Sequence, residues 1–289
     1  MVRGPPSERS PADMLEFGVV NLDKPPGPSA HQVVAWLRDM AGVDRAAHAG
    51  TLDPKVTGCL PVLLGDATRM AQVFDDAVKE YVAVLELHGE PPADFRETVA
   101  EFEGPIYQKP PRKSAVVRKL RVREIYDLAV LEVEGRQALL RVSCESGTYV
   151  RKLCHDIGLA LGTGAHMGHL RRTATGTFDD TTLVTMHDLA DALAWYEQDG
   201  DEGSLGDVVQ PAERALRGVP RVTIAPSAAE SVADGAPVYA PGVIECEHEP
   251  DSQLVACYTP DDAAVCLGRL VGDPDGESGV VVELERVLV

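Results

Sequence analysis

Apolar and polar positions recur along this chain with two periods, which sort it into strands and helices. Gly18-Val19-Val20-Asn21-Leu22 reads as a strand. Asp23-Lys24-Pro25-Pro26-Gly27-Pro28 ends it, since successive prolines fix φ and force a rigid turn. Ser29 with Gln32 has capping-box spacing, and Val33, Trp36, Leu37 and Met40 form an apolar stripe at helical period. The run from Gly58 to Leu64 is apolar throughout and predicts a buried strand, with Pro61 requiring a bulge or a sheet edge. Lys79 to Leu87 is another strand. Tyr126 to Val133 and Gln137 to Cys144 flank Glu134-Gly135-Arg136 in the pattern of a hairpin. From Thr148 to Leu161, Val150, Leu153, Cys154, Ile157 and Leu161 share one helical face, and Arg151 sits about 100° from Val150 at its border.

The texture changes toward the C-terminus. Glu197 to Ser204 is acidic and lacks an apolar period, which places a domain junction nearby. From Val219 onward, short Val- and Ile-rich segments alternate with Pro and Gly, as in a small β-barrel. Ser227 is expected to begin a short helix there, with Gly235 ending it. Residues 1–13 are polar and expected to be loose. The expected division is a flexible segment over 1–13, a catalytic domain over 14–205, a linker over 206–214 and a small barrel over 215–289.

Composition limits the classes available. A chain of 289 residues suits one large domain and one small, and 44% hydrophobic with 25% charged residues is ordinary for a folded protein. No apolar stretch reaches the roughly 20 residues of a membrane helix and no signal-peptide core follows Met1, so a cytoplasmic protein without membrane contact is expected. The six cysteines show no C-x-x-C pair and read as reduced core thiols. The net charge of -19, from 46 acidic and 27 basic residues, should repel nucleic acid in dilute buffer. At molar salt the Debye length falls to about 3 Å, so a salt-adapted host reconciles the two.

Candidate chemistry centres on Gly50-Thr51-Leu52-Asp53-Pro54, which puts a carboxylate in a loop before a buried strand. Alone, such an aspartate is usually a turn residue. The densest positive stretch runs from Tyr107 to Arg123 and includes Lys109, Arg112 and Lys113, a local charge opposite to that of the whole chain. No set of residues has zinc-ligand spacing, and there is no phosphate-binding glycine loop. No cofactor or metal is called for.

Five blocks in order carry a resemblance. They are Leu22 to Ser29, His48 to Pro54 with Gly58-Cys59-Leu60, Lys79-Glu80-Tyr81-Val82, Gly147 to Gly158, and Leu170-Arg171-Arg172. Together they resemble the tRNA pseudouridine synthase B family, and more closely its dyskerin-type branch, the catalytic subunit of H/ACA ribonucleoproteins. The tail resembles a PUA domain at Gly235-Ala236-Pro237-Val238 and Ala240-Pro241-Gly242-Val243. The resemblance implies an α+β fold with a mixed, largely antiparallel central sheet, followed by a PUA β-barrel that binds RNA. It implies that Asp53 is the catalytic carboxylate, that Arg151 pairs with it and that Tyr81 stacks on a flipped base. His48 would lie beside the extruded nucleotide, Leu170 would wall the uracil pocket, and Lys24 with Pro25 would buttress the loop more than touch substrate. Lys109, Arg112 and Lys113 would touch substrate RNA. Implied partners are an H/ACA guide RNA with rRNA or tRNA substrate, small Nop and Gar proteins, and a kink-turn-binding ribosomal-type protein. Two alternatives stay open: a guide-independent synthase acting on tRNA, and a non-catalytic RNA scaffold.

Overall fold

Two sheets organise the chain in the computed structural model, which describes residues 2–110, 117–246 and 253–289. The larger contains β1 (Phe17–Lys24), β2 (Ala46–His48), β3 (Thr57–Gly65), β4 (Lys79–Leu87), β5 (Gly104–Gln108), β6 (Arg121–Glu134), β7 (Gln137–Cys144), β8 (Ala165–Thr175), β9 (Phe178–Asp179) and β10 (Gln210–Pro211). Its order is β10-β1-β3-β8-β4-β7-β6-β5, with β2 on β3 and β9 on β8, and only β3 with β8 is parallel. The smaller sheet contains β11 (Arg221–Ile224), β12 (Val238–Tyr239), β13 (Val243–Cys246), β14 (Leu254–Tyr258), β15 (Ala264–Leu270) and β16 (Val280–Val287). It runs β12-β16-β15-β14-β11-β13 and is parallel only between β11 and β14. The helices are α1 (Pro11–Glu16), α2 (Ala30–Ala41), α3 (Phe95–Ala100), α4 (Val150–Ala160), α5 (Met186–Asp199), α6 (Glu202–Val208) and α7 (Pro226–Ala233). The α+β class and the largely antiparallel main sheet are those expected. Among the described residues, no helix is long and apolar enough to cross a membrane.

The apolar runs of β1 and β3 follow from burial on both faces. Val20, Leu22, Leu60, Val62 and Leu64 pack into a core with α2, α4 and α5. Phe17, Val19, Cys59 and Leu63 pack on the other face with Met70, Leu216, Tyr258, Leu267 and Leu288, so the two sheets share a core. β4 alternates because only one of its faces is covered: Tyr81, Ala83 and Leu85 are buried while Val82, Val84 and Glu86 are half-buried. Pro61 needs neither bulge nor edge. β3 pairs with β2 through Val62, Leu63 and Leu64 and with β8 through Thr57 and Gly58. Pro61 falls in the gap, where its carbonyl accepts from the Ala49 N–H at 2.8 Å.

The Ser29–Gln32 capping box forms as predicted, through reciprocal bonds of 3.2 and 2.9 Å. The buried stripe of α2 is Ala30, Val33, Val34 and Leu37, and Trp36 is 47% exposed because it lies one helical step, about 100°, before Leu37. In the smaller sheet, Pro226 takes the first helical position with Ala225 as cap, one residue before the expected Ser227. The acidic stretch expected at the junction is helical on both sides of one turn. α5 runs to Asp199, and the Asp201 side chain accepts from the Ser204 N–H at 3.2 Å to start α6, whose Leu205 and Val208 are buried. Residues 206–214, expected as a linker, hold β10 against β1 and bury Val209 and Ala212.

The N-terminal segment expected to be loose is pinned by arginines. Arg3 stacks over Phe17 at 4.4 Å and pairs with Asp66, which also holds Arg45 and Arg69. Arg9 grips Glu213 through two bonds of 2.9 and 2.7 Å, and their side chains are 4% and 10% exposed. Glu213 also accepts from the Ala264 N–H at 3.1 Å, which joins the N-terminus, the main sheet and the smaller sheet at one carboxylate. Replacing Arg9 with leucine leaves that carboxylate buried and uncompensated, at a cost of about 3–5 kcal/mol. Thermal unfolding in molar KCl should show Tm lowered by roughly 10 °C, and adding Glu213→Gln should recover most of the loss. An unchanged Tm in the single variant would refute this role.

Candidate active site

The loop between β2 and β3 carries Asp53, and its shape is fixed from below by buried cations. Lys24 is fully buried and donates to the carbonyls of Pro25, Pro54 and Val56 at 2.9, 3.0 and 2.9 Å. Burial holds its ammonium below the usual lysine range. Arg172 of β8, also fully buried, donates through Nε to Cys59 O at 2.7 Å and through Nη2 to Ala49 O and Gly50 O at 3.4 and 3.3 Å. Leu52 and Val56 anchor the loop in the core, and the Val56 N–H closes a turn on Asp53 O at 3.0 Å. Two glycines are required by this packing. Gly50 (φ +86°) lies over Lys79 and Arg172, and a Cβ on Gly58 (φ +96°) would meet Arg172 O at 2.2 Å.

Asp53 forms an ion pair with Arg151, and the two side chains are 52% and 48% exposed. Arg151 stands in the first turn of α4, whose entry is set by Gln108. This nearly buried side chain accepts from the Tyr149 N–H at 2.9 Å and donates to Tyr149 O at 3.2 Å. Tyr81 is buried on β4, directly in register with Arg172. Burial pushes its hydroxyl above the usual tyrosine range, and the Arg172 charge opposes that shift.

The remaining expected residues are placed as follows. His48 ends β2, with His31 edge-on at 4.9 Å, and its Nδ1 is buried without a hydrogen-bond partner. Burial first, then the His31 charge, holds the ring below the usual histidine range and so neutral near pH 7. Leu170 is half-buried on β8, in register with Ala83, two residues along β4 from Tyr81. Lys109 is exposed and directly follows Gln108. Lys24 has its described bonds in the loop rather than at the surface, which fits the buttress and not substrate contact. Arg112 and Lys113 lie outside the described residues. Among the described residues, no group of three or more His, Cys, Asp or Glu side chains is placed to hold a metal ion.

Arg172, Lys79 and Gln108 were not singled out from sequence. Arg172 and Lys79 stand within two of the five motif blocks but carried no expected role; β8 turns the consecutive Arg171 and Arg172 to opposite faces. Arg171 pairs with Asp23 through two bonds of 2.9 and 3.0 Å, while Arg172 turns inward. Lys79, almost wholly buried, donates to Phe74 O, Ala77 O and Ser146 Oγ at 3.1, 2.9 and 3.0 Å. Burial, with the Arg172 charge beside it, pushes Lys79 down to about 8. A depressed lysine binds fewer protons folded than unfolded between pH 8 and about 10.5, so its cost to stability is present below pH 8 and is relieved as pH rises through that window. Denaturant unfolding of wild type and Lys79→Met from pH 7 to 10.5 should show wild type gaining relative to the variant. A difference that does not change with pH would contradict the shift.

The chain is similar to known proteins along its whole length. Residues 38–94 match the TruB family pseudouridylate synthase N-terminal domain, and residues 151–217 the tRNA pseudouridylate synthase B C-terminal domain. Residues 4–34 match the DKCLD (NUC011) domain and 220–288 the PUA domain. The chain is 69% identical to a probable tRNA pseudouridine synthase B of Haloarcula marismortui, over 100% of this chain and 94% of that protein. The crystal structure of a Cbf5-Nop10-Gar1 complex contains a chain that is 45% identical with a TM-score of 0.94, covering 100% of this chain and 90% of that one. A structure of an H/ACA ribonucleoprotein bound to a substrate RNA containing 2′-deoxyuridine matches at 43% identity and TM-score 0.93, again over 100% and 90%.

Proposed function

The chain belongs to the TruB family of pseudouridylate synthases, and we propose that the Asp53–Arg151 pair beside Tyr81 is where it converts uridine to pseudouridine in RNA. The observation that carries this reading is the assembly of that pair from a loop and a distant helix, with Tyr81 buried in register with Arg172, which holds Gly50 of the same loop. The carboxylate acts at the ribose-base unit while the C1′–N1 bond breaks. The uracil turns, C1′ bonds to C5, and the C5 proton is lost as N1 gains one, so the reaction is an isomerisation. Arg151 orients the Asp53 oxygens with its planar fork, and its partial exposure leaves the pair reachable by an extruded nucleotide. Tyr81 stacks on the base, Leu170 walls it, and a neutral His48 lies beside the nucleotide. Lys109, with Arg112 and Lys113 along the same basic run, touches the RNA backbone. A non-catalytic scaffold would have no use for this set.

By likeness to the chains in the Cbf5-Nop10-Gar1 and H/ACA structures, this protein serves as the catalytic subunit of an H/ACA guide ribonucleoprotein. Its partners are small Nop and Gar proteins and a kink-turn-binding ribosomal-type protein, its residues 215–289 act as the RNA-binding PUA part, and its place is a cytoplasm at high salt. The names of its relatives also support activity on tRNA. Pseudouridine should be mapped chemically in tRNA and in a guide-substrate pair, with and without guide and partners, in molar KCl. Asp53→Asn should lower turnover by roughly 10³-fold or more with RNA binding retained. Wild-type turnover in the variant would overturn the assignment. Conversion of tRNA alone at the rate of the full assembly would favour the guide-independent form.

A further inference from the structure

Where the two sheets meet, a cleft of about 640 Å³ is lined by Arg214, Arg217, Arg221, Glu213, Tyr258 and Asp262 among others. Its carboxylates are already engaged. Glu213 is held by Arg9 and the Ala264 N–H, and Asp262 pairs with Arg221 at 2.7 Å. Arg221 also covers the Tyr258 ring at 4.4 Å. Arg214 and Arg217 take part in none of the described ion pairs. Arg214 instead bonds Gln210 and the Thr182 hydroxyl, lies over Phe178 at 4.9 Å, and has its Nε buried without a partner. Asp179 is the nearest partial compensation, but its oxygen accepts from the Thr181 N–H and hydroxyl. Burial and the Arg217 charge both hold Arg214 below the usual arginine range, as expected of two like charges kept close. Two such arginines at an open cleft are unusual in a chain whose net charge is -19.

A chain of bonds also links the cleft to the candidate active site, beginning with Arg214 on the Thr182 hydroxyl. Thr182 Oγ1 accepts from Asn21 Nδ2 at 3.0 Å, Asn21 accepts from the Cys59 thiol at 3.3 Å, and the Cys59 carbonyl is held by Arg172. Asn21 is three residues from Lys24 on β1, so one strand runs from beneath the cleft to the buttress of the Asp53 loop. We propose that Arg214 and Arg217 form a subsite for a backbone phosphate of the same RNA that presents its uridine at Asp53. The guanidinium forks match a phosphate diester, and the contact positions RNA without reading sequence. This inference rests on the reading of the protein as an RNA pseudouridine synthase and adds a second point at which the RNA is held.

Arg217 is the residue to change, because it is exposed and its loss leaves no buried group unpaired. The assembled complex should be titrated in molar KCl with full-length guide-substrate RNA and with a short substrate oligonucleotide that reaches only the Asp53 loop. Arg217→Ala should weaken full-length binding roughly five- to thirtyfold, Arg217→Glu should weaken it further, and short-oligonucleotide binding and turnover at saturating RNA should not change. Full-length affinity equal to wild type in Arg217→Glu would overturn the proposal. So would calorimetry in which inorganic phosphate binds wild type and not Arg217→Ala while RNA affinity is unaffected, since the cleft would then serve a free anion. Binding is read independently of conversion, so an inactive wild type would defeat the functional reading and leave the test of the cleft intact.

Discussion

Three buried cations solvated by main-chain carbonyls hold this site in shape. Lys24, Lys79 and Arg172 take part in none of the described ion pairs, although the chain has 46 acidic residues. They donate instead to the carbonyls of Pro25, Pro54, Val56, Cys59, Ala49, Gly50, Phe74 and Ala77. Desolvating a charge costs several kcal/mol, and carbonyl dipoles offset that cost only when they converge on it. They converge only when the loop has its observed path, so loop shape and charge burial depend on each other. A carboxylate would have satisfied these cations equally well and cancelled their field. Carbonyls solvate them and leave net positive charge beneath the Asp53 loop.

That arrangement resolves the conflict between a polyanionic ligand and a net charge of -19. At molar salt, separated surface charges are screened within about 3 Å, so the acidic exterior contributes little at the distance of a bound strand. Groups in direct contact or buried under a low-dielectric surface are screened far less. Lys24, Arg172 and Lys79 are of this kind. Local buried charge, rather than the net charge, is therefore what persists at molar salt.

How much of this was legible in the sequence depended on the range of the interaction. The Ser29–Gln32 cap, the turn at Glu134-Gly135-Arg136 and the apolar runs of β1 and β3 are local, and each was read from a few neighbouring residues. The failures were long-range. Pro61 looked like a defect because the gap between two partner strands cannot be seen from β3 alone. Residues 206–214 looked like a linker because their burial comes from β1 and from a second sheet. Asp53 and Arg151 were found only because five motifs agreed with a family pattern; their spacing in sequence carries no geometric information. Arg172 fell within one of those motifs and Gln108 within the basic stretch, yet neither carried an expected role, since a buried polar side chain is recognisable only with its partners in place.

The shared core between the sheets has a consequence for how RNA is chosen. An RNA-binding barrel on a flexible linker would raise the local concentration of RNA but could not fix which nucleotide reaches Asp53. Here Phe17, Leu63, Leu216, Tyr258 and Leu288 form one continuous cluster, and Arg9 with Glu213 closes it at the edge. The position of the smaller sheet relative to the Asp53 loop is thus set by close packing, which tolerates little sliding. If the cleft arginines hold RNA as proposed, that RNA meets the Asp53 loop at a distance set by this packing.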